Sequence, residues 1–181
     1  MELFEKSGAV NTERTVSLVL KRARELGITT VVVASNSGET AEIFHGHDLQ
    51  VVCVTHHVGY AGPGIDEMEA ERRAGLSAQG VKVLTTTHLF AGIDRALRIQ
   101  AGGLYPAEIV AHTLRMFGQG VKVGVEVAVM ALDAGLIEFG SKVIAVGGTG
   151  HGADSALVIT PNHSNHFFAS KIHEIICKPA Q

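Results

Sequence analysis

Four short runs dominated by apolar, mostly β-branched residues, at 29–34, 49–54, 81–85 and 142–146, are separated by stretches whose apolar positions recur at helical spacing. This pattern predicts layered α/β structure with a largely parallel sheet. Residues 11–25 place Val16, Val19, Leu20 and Ala23 on one helical stripe. Arg14, Lys21, Arg22 and Arg24 lie mostly elsewhere on the wheel, and Gly27 stands ready to end the helix. Further helices are predicted at 39–45, at 66–73 with acidic residues in its first turn, and at 106–116. Residues 121–134 are ambiguous, because Val121, Val123, Val125, Val127 and Val129 alternate as in a strand. The length and the apolar continuation favour a helix. A fifth strand is predicted at 154–160. Only residues 147–153 join it to the fourth, and a parallel crossover needs about a dozen residues, so the fifth strand is expected to run antiparallel. Residues 172–177 read as one more edge strand of open orientation. Neither repeat nor linker divides the chain, so residues 1–181 are expected to form a single domain.

In an open parallel sheet, ligands gather beyond the carboxyl ends of the strands. The polar residues of this chain collect there. The first strand runs into Ser35, Asn36, Ser37, Gly38, Glu39 and Thr40, the second into Thr55, His56 and His57, the third into Thr86, Thr87 and His88, and the fourth into the glycine loop 147–152. The 35–40 turn opens a helix, where free N–H groups and hydroxyls suit a phosphate. The competing reading is an ordinary helix cap by Ser35 or Ser37. Several hydroxyls with Gly38 exceed what a cap requires and favour phosphate. The 147–152 loop lacks the spacing and the following helix of a dinucleotide fingerprint. It reads either as a tight antiparallel connection or as a ligand contact, with His151 placed to meet an anion or a ring.

Composition narrows the chemistry. A formal charge of -3 with no basic run argues against nucleic acid. No apolar run approaches a membrane span and no leader pattern opens the chain, so a cytoplasmic protein is expected. Cys53 and Cys177 show no paired-cysteine spacing and read as reduced structural thiols. Ten histidines are many for this length, yet no metal-ligand spacing joins them and no metal site is expected. Lys122 and Glu126 read as an exposed i,i+4 ion pair. A mean hydropathy of +0.24 suggests apolar surface to cover, hence a homo-oligomer.

The segment 31–41, Val-Val-Val-Ala-Ser-Asn-Ser-Gly-Glu-Thr-Ala, resembles the strand and phosphate loop of the pyruvate kinase C-terminal domain. With Asn11-Thr12, the 118–123 and 130–136 segments, Gly147-Gly148-Thr149-Gly150 and Gly152-Ala153-Asp154, the chain is similar over nearly its full length to a small stand-alone group of archaeal and bacterial proteins of that fold. The resemblance implies a three-layer α/β/α domain with a mixed sheet, order 3-2-1-4-5 in the strands counted above, strand five antiparallel. It further implies flavin mononucleotide as a bound cofactor. The expected contacts are Ser35, Asn36, Ser37, Gly38, Glu39, Thr40, Thr55, His56, Thr87, Gly118, Gly120, Lys122, Gly148, Thr149, Gly150 and His151. It supplies no reaction. The leading expectation is a phosphorylated-ligand protein, with a flavin-dependent oxidoreductase as one outcome. The alternative is a non-catalytic sensor of a sugar phosphate or related metabolite. A phosphosugar hydrolase or isomerase using His56, His57 or His88 as base is the third reading.

Overall fold

The computed structural model describes residues 1–180 and contains one seven-stranded mixed sheet. Its strands are β1 (Glu2–Phe4), β2 (Thr30–Ala34), β3 (Gln50–Val54), β4 (Lys82–Leu84), β5 (Val143–Gly147), β6 (Ser155–Thr160) and β7 (Lys171–Pro179). The spatial order is β1-β7-β6-β5-β2-β3-β4. The segment β4-β3-β2-β5-β6 is the expected order, with β6 antiparallel to β5 from Val143 opposite Ile159 to Gly147 opposite Ser155. The 172–177 strand is not the edge: β7 runs antiparallel to β6, and the three-residue β1 adds outside it in parallel. β1 is too short to register as a pattern, so its existence and the covering of β7 were invisible in the sequence.

Strand parity splits the core into two layers. Val31 and Val33 join Val16, Val19, Phe44, Met68 and Leu76 on one face. Val32 and Val52 join Val125, Ala128, Leu132 and Leu157 on the other. The first face is covered by α1 (Thr12–Leu26), α2 (Glu39–Ile43) and α3 (Ala70–Ala78), the second by α6 (Gln119–Asp133). α1 ends as its sequence foretells. Gly27 takes φ 65°, its N–H donates to Arg24 O, and the N–H of Ile28 returns to Ala23 O, the bond pattern of a Schellman cap.

Three expectations are corrected. The helix predicted at 66–73 begins at Ala70, because Asp66 Oδ1 accepts the N–H of Met68 and holds a separate turn first. A helix α4 (Ile93–Ala101) precedes α5 (Pro106–Arg115) and was not predicted, although Ile93, Leu97 and Ala101 recur at i,i+4 spacing. Lys122 and Glu126 are buried, not exposed, since α6 is covered on nearly all sides. That burial also explains the strand-like alternation of its valines: a helix apolar on every face carries no amphipathic period.

Small residues bring α6 onto the sheet. A Cβ at Gly124 would meet Leu157 Cδ2 at 2.4 Å, and one at Gly147 would meet Gly120 O at 2.3 Å and Gly124 N at 3.0 Å. Helix backbone therefore rests almost directly on strand backbone at the carboxyl end of β5.

Candidate functional site

The turn after β2 and the loop after β5 face each other across one cleft of about 440 Å³. Its lining includes Ser35, Asn36, Ser37, Glu39 and Thr40 from the first and Gly148, Gly150, His151 and Gly152 from the second. β2 and β5 are neighbours in the sheet, and the chain leaves β2 for α2 but turns from β5 into the antiparallel β6, so the two connections diverge at their shared carboxyl edge. The remaining walls are Ala34, His56, Tyr60, Glu67, Gln119 and Val123.

The 35–40 turn donates. The N–H groups of Asn36, Ser37, Gly38 and Thr40 take no part in its backbone hydrogen bonding, and Ser35 is anchored by its own N–H to Val54 O. The capping alternative is weak, because the N-cap of α2 is Gly38 and carries no side-chain cap bond. Ser37 Oγ meets the Glu39 N–H only at 3.5 Å. Gly38 is not a ligand wall. At φ 89° it is buried, and a Cβ there would strike Leu76 Cδ1 at 2.6 Å, so it lets α3 pack under the turn.

The opposing loop is held by Asp154, which is fully buried. Its Oδ2 accepts the N–H of Gly8 at 2.8 Å and of Thr149 at 3.1 Å, and its Oδ1 accepts the Ser155 hydroxyl at 2.8 Å. Thr12 Oγ1 accepts the Ala153 N–H at 3.0 Å, and Gly152 leaves no room for a Cβ between Thr12 and Ala9. The amino-terminal segment thus props the glycine loop from behind. This buried carboxylate was not among the expected functional residues; its signal was an aspartate leading an otherwise apolar strand.

A group of rings closes the third side. His56 packs on Tyr60 with centroids 3.8 Å apart and the rings inclined by 30°, His88 lies 5.2 Å from both His56 and His57, and Arg95 sits over Tyr60 at 5.8 Å. His56 Nδ1 is hydrogen-bonded to Glu67 at 2.7 Å. Beneath them Lys122 pairs with Glu126, whose Oε1 also accepts the Phe90 N–H at 3.0 Å and so fastens the 88–91 segment to α6. Burial lowers the Lys122 ammonium below its ordinary value, with Glu126 pulling the other way.

Burial likewise pushes His88 down to about 4, opposed by Glu126 and reinforced by His56 and His57. The folded protein therefore keeps His88 neutral where the unfolded chain, near 6.5, begins to bind a proton. Between those values the unfolded state holds more protons, so the contribution is present at neutral pH and is lost as pH falls from about 6.5 toward 4. Because the ring is partly open to solvent, about 1 kcal/mol of stability is expected to disappear between pH 7 and pH 5. Urea titrations of the wild type and of His88→Gln check this: the variant's stability should fall less over the same interval.

The expected contacts divide by helical face. On α6, Gln119 and Val123 reach the cleft; Gly120 packs on Asp154 and Ser155, and Lys122 points under the ring cluster. Gly118 is the N-cap of α6, at φ 123°. Thr55 is hydrogen-bonded to Thr85 Oγ1 at 2.6 Å and joins β3 to β4, while Thr149 contributes its N–H to Asp154. Neither they nor Thr87 line the cleft. Among the described residues no cluster of metal-ligating side chains occurs. Both cysteines are free and buried, and burial raises Cys53 to about 12 and Cys177 to about 11, where neither ionises at neutral pH. A larger cavity of about 730 Å³ at the amino ends of β2 and β3 includes Gln50, Lys82 and Lys142 in its lining. There Gln50 and Lys82 already bond Leu136 O.

A family model described as pyruvate kinase, alpha/beta domain, matches residues 13–159. Among solved structures, pyruvate kinase from Cryptosporidium parvum in complex with ADP is 16% identical over 93% of this chain and 24% of its own, with a TM-score of 0.40. A second structure of pyruvate kinase from that organism is 17% identical over 92% of this chain and 22% of its own, with a TM-score of 0.38. The chain thus spans under a quarter of the length of these enzymes.

Proposed function

We propose that this chain, which belongs to the pyruvate kinase alpha/beta domain family, holds a phosphorylated small molecule, flavin mononucleotide before others, between its 35–40 turn and its 148–152 loop. The observation that carries the reading is the division of the cleft. Unengaged N–H groups and the hydroxyls of Ser35, Ser37 and Thr40 stand at one wall, and the packed His56–Tyr60 ring pair stands at another. A volume of about 440 Å³ suits a mononucleotide. Among the described residues no lysine or arginine lines the cleft, so a phosphate there would rely on N–H and hydroxyl donors, against the nearby carboxylate of Glu39.

When bound, a flavin supplies hydride and single-electron chemistry. The chain's own share is to bind the phosphate through the 35–40 turn, to border the ribityl portion with Gly148, Gly150 and His151, and to flank the ring with His56, Tyr60 and Val123. One observation favours the non-catalytic reading: apart from Ala34, Tyr60, Val123 and the glycines, every lining residue is polar, which also suits a polyhydroxylated sugar phosphate.

Flavin fluorescence titrations test the assignment. Hydrogen bonds to a charged phosphate contribute about 1.5–3 kcal/mol each, so Ser37→Ala and Thr40→Val are each expected to weaken flavin mononucleotide binding about ten-fold or more. Unchanged affinity in both variants would remove the turn from the site. A sugar bisphosphate that raises the melting temperature while flavin mononucleotide does not would select the sensor reading.

A further inference from the structure

α4 is built inside out. Its polar side chains face the body of the protein: Asp94 Oδ2 accepts the N–H of Ala107 at 2.8 Å, Arg98 pairs with Glu108 at 2.6 Å, and Arg95 covers the Tyr60 ring. None of its residues is buried, and its apolar residues stand in solvent, Ile93 at 74% and Ile99 at 76% exposure, with Leu97 at 41%. The same arm continues with Leu104, Ile109 and Met116 exposed at 61%, 54% and 83%. A helix whose apolar side is turned away from its own core gains nothing from that side in the isolated protomer. Scattered exposed leucines and isoleucines need no explanation, but six large apolar residues on the 24-residue arm from Ile93 to Met116 do.

We propose that this arm is the contact surface between two copies of the chain. The area fits. With about 200 Å² for a large apolar residue fully exposed, the six offer roughly 800 Å², what each partner of a standard stable interface buries. The charges fit as well. All three arginines of the arm are engaged within their own protomer, Arg98 by Glu108, Arg95 by Tyr60 and Arg115 by Gln119. A two-fold pairing therefore brings apolar surface to apolar surface without setting like charges against each other. The pairing has a consequence for the cleft, because Arg95 belongs to this arm and rests on Tyr60, a cleft wall. Covering the arm holds that wall in place.

Sedimentation equilibrium of the full chain, from about 1 to 100 μM, tests the proposal. The expected result is reversible association from 19.1 kDa to twice that mass. Leu97→Asp combined with Ile109→Asp is expected to leave a monomer with an unchanged circular dichroism spectrum. Val10→Glu, equally exposed at 78% but on another surface, is expected to associate like the wild type. A wild type that stays monomeric at 100 μM overturns the proposal. So does a dimer that survives both arm substitutions, or one that Val10→Glu dissociates.

Discussion

Asp154→Ala is expected to cost about 3 kcal/mol of folding stability and to lower the melting temperature by about 9 °C, since a domain of this size loses some 2–4 °C per kcal/mol. The carboxylate is fully buried and accepts from three donors, two of them backbone N–H groups that belong to segments 146 and 5 residues away in sequence. Alanine leaves the N–H groups of Gly8 and Thr149 without their acceptor, and desolvated donors are costly to leave unpaired. The effect extends to binding. Thr149 is the midpoint of the glycine loop, and with Gly8 released the amino-terminal prop behind the loop is loosened. Affinity for the phosphorylated ligand is expected to fall about ten-fold even at temperatures where the variant is folded. Asp154→Asn, which keeps one acceptor oxygen and the shape, should lie between wild type and alanine on both scales. Differential scanning calorimetry with a flavin titration at 15 °C reads the two effects separately.

Gly147→Ala is expected to be of similar size, for a different reason. The methyl group would fall 2.3 Å from Gly120 O and 3.0 Å from Gly124 N, and both obstacles are helix backbone rather than a side chain that swings aside. Either α6 lifts from the sheet or β5 bends, and overpacking of this kind costs about 3 kcal/mol. Lifting α6 also withdraws Gln119 and Val123 from the cleft. Gly150→Ala is the comparison: its φ of 77° disfavours a side chain, but nothing lies within 4 Å, so about 1 kcal/mol is expected. Urea denaturation of the two variants side by side distinguishes close backbone contact from loop conformation alone.

The central five strands and the reversal of β6 were legible because each is an apolar run bounded by polar turns and because seven residues cannot make a parallel crossover, whereas their order was implied by the family resemblance alone. α4 was missed although its signal, Ile93, Leu97 and Ala101 at i,i+4 spacing, stands in the sequence. The facing of the two loops followed from the strand adjacency that the family resemblance implies. Which residues line them did not. Gly118, Gly120 and Lys122 were chosen by motif, whereas the helical face that meets the cleft is Gln119 and Val123, one turn apart. Gly38 illustrates the same limit: glycine was required by φ and by Leu76, neither of which a single sequence displays. Lys122 and Glu126 read as a surface pair because i,i+4 spacing is identical on an exposed and a buried helix, and only the 88–91 segment folded over them decides between the two.

The division of labour in the cleft makes one comparison decisive. Flavin mononucleotide and riboflavin share the ring and the ribityl chain and differ by the phosphate alone, so a parallel fluorescence titration isolates what the 35–40 turn contributes. The account predicts saturable binding of flavin mononucleotide, with riboflavin weaker by about a hundred-fold, the equivalent of about 3 kcal/mol of phosphate contacts. Equal affinity for the two, or binding of neither, would contradict it.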